Sequence, residues 1–195
     1  SDNAVLGGTA DTVIGASIFA DDSDVDLTFT GSSLLAGNVF DGNVGAGLFV
    51  DLHGSSTGTL FVRNSTFINT ADDGNLLTDV AGEGIAISTY DTSSLADSTI
   101  NRNIIGTLGQ GNAGHGIGIL ASDSSSISDL LIGNTNGDNG DGGLIQGNAG
   151  SGIFFRREVN ADVDRISIVD VTIDQNGANG IELESTGTSA DTPDF

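Results

Sequence analysis

The chain has 195 residues, 27 acidic and five basic side chains, a net charge of −22 and no cysteine. The missing thiols exclude disulfides, thiolate metal sites and cysteine nucleophiles. All five bases are arginine, so the charge excludes a nucleic-acid partner, which needs Lys and Arg on its phosphates, and an anionic bilayer as well. Hydrophobic residues at 37% suffice for a core, while 30 glycines and one proline suit many tight turns, and no apolar run is long enough to span a membrane.

In chain order, the first feature is the densest acidic run, Asp21, Asp22, Asp24 and Asp26, which leads into the alternation Val25, Leu27, Phe29. Residues 43–50 (NVGAGLFV) open a series that returns at 81–87 (AGEGIAI), 112–119 (NAGHGIGI), 148–155 (NAGSGIFF) and 176–183 (NGANGIEL). Short alternating runs fall between them at 60–62, 127–130 and 166–173. A polar stretch at 134–142 (NTNGDNGDG) carries Asp138 and Asp141, and Arg156, Arg157 and Arg165 gather most of the positive charge. Near the end, Pro193 is the one residue that cannot donate to a strand ladder.

The common plan is Asn-x-Gly-x-Gly-apolar-x-apolar. Its second glycines stand at 47, 84, 116, 152 and 180, with spacings of 37, 32, 36 and 28. Ala81 takes the Asn slot in the second set, and Ala178 takes the first Gly slot in the fifth. Strict alternation marks strands with one buried face, and nothing shows a capped helical period. One such unit cannot bury its apolar face; stacked copies can. The pattern therefore predicts an all-β solenoid, a single domain over 1–195 with its clearest repeats at 34–185 and a piece of a longer chain. Leu48, Ile85, Ile117, Ile153 and Ile181 should form one inward column, and Val50, Ile87, Ile119, Phe155 and Leu183 the next. The recurring glycines are expected to supply positive φ in turns. Asn43, Asn112, Asn148 and Asn176 should stack along one edge and bond from coil to coil.

These repeats, 173–183 (IDQNGANGIEL) above all, resemble the right-handed parallel β-helix repeats of the pectate-lyase-like superfamily. The resemblance implies a right-handed parallel β-helix of about five to six coils, a rod ~25–30 Å long at ~4.8 Å per strand. It implies little about activity, because that superfamily includes lyases, hydrolases, epimerases, adhesins and phage spikes. Gly114-His115-Gly116 also matches a tripeptide at the catalytic site of polygalacturonases, which share the fold. Position 115 is Ala46, Glu83, Ser151 or Asn179 in the other repeats, so the turn explains the glycines. Asp72 and Asp73 precede His115 as in those enzymes, but Asn134 and Asn136 follow it with Asn in place of Asp, and no Arg-x-Lys comes after. No catalytic residue is assigned.

Two classes of binding residue stand out. Phe49 and Phe154 take the outward position of the repeat strand, where they either stack on sugars, contact a partner or pack under a loop. Arg156 and Arg157 carry forks suited to the carboxylates of an acidic sugar, with Glu158, Asp162 and Asp164 as the competing structural partners. If a metal is bound, the expectation is Ca²⁺ on Asp21, Asp22, Asp24 and Asp26 or on Asp138 and Asp141, because only oxygens are plentiful. The function expected is a non-catalytic, secreted or cell-surface module of an adhesin, surface or filament protein. Its expected partners are a polysaccharide or further copies stacked head to tail. The alternative is a polysaccharide lyase, a glycoside hydrolase or its carbohydrate-binding accessory domain.

Overall fold

The computed structural model describes residues 4–6, 15–33, 37–72, 81–135, 142–158 and 160–186. Asp73, Asn136, Asp138, Asp141 and Pro193 lie outside them. The chain runs through β1 (Ala4–Leu6), β2 (Ala16–Asp21), β3 (Asp24–Thr30), β4 (Asn38–Asp41), β5 (Ala46–His53) and β6 (Thr57–Arg63). It continues through β7 (Ser65–Ile68), β8 (Glu83–Thr89), β9 (Ser94–Leu95), β10 (Thr99–Asn101), β11 (Asn103–Ile105) and β12 (Ile117–Ala121). The last are β13 (Ser126–Gly133), β14 (Gly143–Gln146), β15 (Ile153–Arg157), β16 (Asp162–Val169), β17 (Thr172–Asp174) and β18 (Ile181–Ser185).

Among the described residues three six-stranded parallel sheets result. Sheet A runs β1-β4-β7-β11-β14-β17 and sheet B runs β2-β5-β8-β12-β15-β18. Sheet C holds β3, β6, β9 with β10, β13 and β16. Each pass of the chain adds a rung to A, then B, then C, so residues far apart in sequence become neighbours about 4.8 Å apart. This is the stacked all-β architecture that the repeat predicts, with no helix among the described residues.

The registers bear out both inward columns. Leu48 pairs with Ile85, Ile85 with Ile117, Ile117 with Ile153 and Ile153 with Ile181. Val50, Ile87, Ile119, Phe155 and Leu183 align two residues on. Sheet A contributes Phe40, Phe67, Ile105 and Ile145, with the rings of Phe40 and Phe67 stacked at 4.6 Å. Sheet C closes the core with Leu60, Val62, Leu95, Ile100, Ile127, Leu130 and Ile132. Each fully buried aliphatic side chain of this kind contributes about 1.5–3 kcal/mol. Ile181 and Leu183 remain 44% and 50% exposed because β18 ends the order of sheet B.

The positive φ expected of the recurring glycines is found at Gly45 and Gly82, the first glycine of the plan, and not at the second. Gly47, Gly84, Gly116 and Gly152 do not have positive φ. What they provide is close approach. A Cβ on Gly116 would stand 2.6 Å from the Gly152 carbonyl oxygen and 2.5 Å from a methyl of Ile145. One on Gly152 would meet Gly180 and Ile173 in the same way, at 2.7 and 2.5 Å. Left-handed backbone falls to other glycines and, as often, to Asp and Asn, whose short polar side chains tolerate it. Asp22, Asp91, Asp123 and Asn160 all adopt it at the corner between sheets B and C.

The asparagine ladder is present at the corner between A and B for Asn112, Asn148 and Asn176, while the buried Asn43 amide has no hydrogen-bond partner among the described residues. Asn112 Nδ2 donates to Asn148 Oδ1 at 2.8 Å, and Asn148 Nδ2 donates to Asn176 Oδ1 at 2.9 Å. The same amides donate to the carbonyls of Phe67 and Ile105, each at 3.1 Å. The slot assigned to Ala81 belongs instead to Thr70, whose hydroxyl donates to Asn112 Oδ1 at 3.0 Å. The connection from β7 to β8 is longer than its counterparts, which shifts the alignment by eleven residues. A second buried ladder, Asn38–Ser65–Asn103, lines the corner between C and A.

Candidate functional site

A parallel strand turns alternate side chains outward, and on sheet B this places three outer columns side by side. One column reads Ser17, Phe49, Ala86, Gly118, Phe154, Glu182. The next reads Phe19, Asp51, Ser88, Leu120, Arg156, Glu184. Glu83, His115 and Ser151 stand on the side nearer sheet A, at the entry to their strands. Phe49 and Phe154 are therefore three rungs apart, about 14 Å. Between them the small residues Ala86 and Gly118 leave a depression. Its deeper part is a cleft of about 220 Å³ lined by Glu83, Gly118, His115, Leu120, Phe154 and Arg156.

Glu83 is the least expected member. Its side chain lies across Gly118, where a Cβ would come within 3.0 Å of Glu83 Cγ, and it is 4% exposed. Burial pushes its carboxyl up to about 7, even though the backbone N–H groups of Ala81 and His115 donate to it, and the Asp72 charge pushes the same way. Around neutral pH the cleft therefore holds a carboxyl poised between donor and acceptor.

His115 forms one wall. Its ring stacks on Phe154 with centroids 4.4 Å apart and planes within 9°. Nδ1 accepts the backbone N–H of Ser151 at 2.9 Å, which places the proton of the neutral ring on Nε2. Burial holds its pKa below the ordinary value, against the pull of Glu182. The Ser151 hydroxyl donates to Glu182, and this bond together with one from Asn179 keeps that carboxyl ionised below its usual range. The serine hydroxyl is thus bonded to a carboxylate, while the imidazole bonds a backbone amide. The trio lacks the hydroxyl-to-imidazole bond that a nucleophilic relay uses. Arg156 closes the cleft, with Nε 3.3 Å from Glu184 and 4.0 Å from Glu158.

Of the four binding residues expected from sequence, Phe49, Phe154 and Arg156 share this outer face. Arg157 does not. Alternation turns it inward, in register with Ala121, where it is 5% exposed and its Nε donates to the Ala161 carbonyl at 2.8 Å. Phe49 packs on Ala46 and Ala86 and is only half-buried. Of the polygalacturonase-like set, Asp72 is near enough to Glu83 to raise it, while Asn134 follows β13 at another corner.

The acidic run spreads along the chain rather than converging. Asp22 accepts from the backbone and hydroxyl of Ser55 at 2.8 and 3.0 Å. Asp24 and Asp26 accept from Thr57 and Thr59 at 2.6 and 2.7 Å, each binding one rung to the next. Among the described residues no group of three or more His, Asp or Glu is placed to hold a metal ion.

Sequence reasoning missed two features of this face. Glu83 carried a signal, an acid one rung from a glycine in the adjoining column, but reading it needs the register. The other is the stack of Phe19, His53 and Tyr90, spaced at 34 and 37 residues, close to the repeat length itself. Comparison of the chain with protein-family models, with characterised proteins and with solved structures found no match.

Proposed function

We propose that the chain is a right-handed parallel β-helix module of about five to six coils, related to the pectate-lyase-like repeats. In this reading it is secreted or displayed at a cell surface, and it binds a neutral glycan segment on the outer face of sheet B without transforming it. One observation carries the reading. The stacked rings of His115 and Phe154 wall a cleft whose floor is Gly118, and Phe49 stands outward in the same column as that floor. A shallow face with rings and a few fixed polar groups suits a sugar, which offers an apolar ring face and hydroxyls at its edge. The charge of −22 argues for a neutral glycan over a polyuronate. Right-handedness is supported by the near-universal hand of parallel crossovers.

The test is calorimetric titration of the protein with neutral oligosaccharides of several linkages. Gly118→Leu should fill the cleft, and Phe154→Ala should remove its ring. Binding by the parent that both variants weaken at least tenfold supports the reading; binding that neither variant affects refutes it. A second reading, a polysaccharide-active enzyme, is favoured by Glu83 alone, since a carboxyl held near pH 7 suits a general acid. Release of reducing ends that Glu83→Gln abolishes would favour it over the non-catalytic module.

A further inference from the structure

We propose that the outer edge of sheet B, where it turns into sheet C, binds a polysaccharide carrying free amino groups, through the ring stack Phe19–His53–Tyr90 and the carboxylates Asp21, Asp51 and Asp91. This site is separate from the cleft and stands whether or not the cleft binds a glycan.

The rings come first. Phe19 is 65% exposed, the most of any large apolar side chain among the described residues. Its ring lies 5.1 Å from that of His53, which stacks on Tyr90 at 4.6 Å with planes within 15°. The middle ring is held in place. His53 Nε2 stands 3.0 Å from Asp51, and Nδ1 stands 3.8 Å from Asp91, whose carboxylate also accepts the Gly54 N–H at 3.0 Å. An aromatic left in water on an otherwise polar edge adds little to the core. Fixed in a ladder, it offers a preorganised π-face.

Charge selects the occupant. Asp21, in register with His53, joins Asp51 and Asp91 in setting three negative charges against at most the one positive charge of His53, leaving at least −2 around the rings. An ammonium group gains from both the ring face and the carboxylates, whereas an anion meets repulsion. A bare metal ion finds no ligand in a phenyl face. The geometry also points to a polymer. The same left-handed corner position carries Asp22, Gly54, Asp91 and Asp123 in successive rungs, so carboxylates stand on three of four, with the Asp91 N–H 3.5 Å from Asp123. Rungs recur at about 4.8 Å. One sugar residue of an extended chain is close to that length, so successive amino sugars would present a charge to successive rungs, meeting Asp51 of β5 where Gly54 takes the corner.

The experiment titrates the full chain at mildly acidic pH with glucosamine oligomers bearing free amines, with their N-acetylated counterparts and with oligolysine of equal charge. The free-amine oligomer should bind, and acetylation should weaken it at least tenfold. Phe19→Ala should weaken it about fivefold, as for a cation over an exposed aromatic face, and Asp51→Asn about as much through the lost ion pair. Asp174→Asn, the same charge change on sheet A, should alter it less than about twofold. Phe19 is exposed, so its removal leaves the fold intact, which a melting curve verifies. Equal binding of the acetylated oligomer, indifference to Phe19→Ala, or no binding at all would overturn the proposal. Oligolysine binding as tightly through Phe19 would assign the surface to a basic protein and overturn it too.

Discussion

Replacing Glu83 with Gln gives the sharpest test of how the cleft is built. In the folded chain the carboxyl titrates at about 7, against an ordinary value of 4.5. The folded state therefore holds this proton more tightly than the unfolded state. Stability from the neutral acid is fully present below about pH 4.5 and is lost as pH rises through about 7. At about 1.4 kcal/mol per tenfold, the gap amounts to roughly 3 kcal/mol of destabilisation at alkaline pH. Glutamine has nearly the same shape, keeps an oxygen for the Ala81 N–H, and does not ionise. Urea melts of both proteins at about pH 8.5 should show the variant more stable by about 2–3 kcal/mol, with the difference shrinking to within about 1 kcal/mol near pH 4.5. The comparison cancels the general relief of carboxylate repulsion on acidification, which both proteins share. Parallel stability curves across that range would mean that Glu83 is solvated, and the cleft would lose its buried acid.

Three further outcomes follow from the fold and the proposed role. Asn148→Ala removes four ladder hydrogen bonds, strands the amides and carbonyls of neighbouring rungs, and should cost about 3 kcal/mol or more by denaturant melt. Gly116→Val drives a side chain into a backbone carbonyl and should cost more than about 3 kcal/mol, whereas His115→Ala loses one hydrogen bond and a ring stack, about 1–2 kcal/mol; melts in the reverse order would undo the rung alignment. An absorbance assay for unsaturated products on pectate, alginate and chondroitin, with and without Ca²⁺, should stay flat, and product formation that depends on Arg156 would reverse that expectation.

The fold was legible because its signal is a period. Alternation in 166–173 and the recurring Gly-apolar-x-apolar strand name the inward residues directly, and a solenoid needs little else. Register was legible only where the repeat kept its length. The long connection before β8 separates the ladder position, Thr70, from the glycines that recur in sequence, which point to Ala81 instead. A bulge in sheet C escaped for the same reason. Residues 96–98 oppose only 59–60, and the Ser98 hydroxyl accepts the Leu60 N–H at 3.0 Å. The site was legible in part. Alternation placed Phe49, Phe154 and Arg156 outward, and the same rule, applied one residue further, turns Arg157 inward. Glu83 and the Phe19–His53–Tyr90 stack depend on which rung lies over which, and that is a property of the folded stack.

The proposal that sheet B's outer face recognises a glycan is tested most directly by backbone NMR of the labelled chain titrated with the tightest-binding neutral oligosaccharide. Glycan recognition at this face should give saturable shifts confined to sheet B and centred on His115, Gly118, Phe154 and Arg156, with the outer faces of sheets A and C unmoved. Shifts centred on sheet A or C, or a spectrum unchanged at saturating sugar, would contradict it.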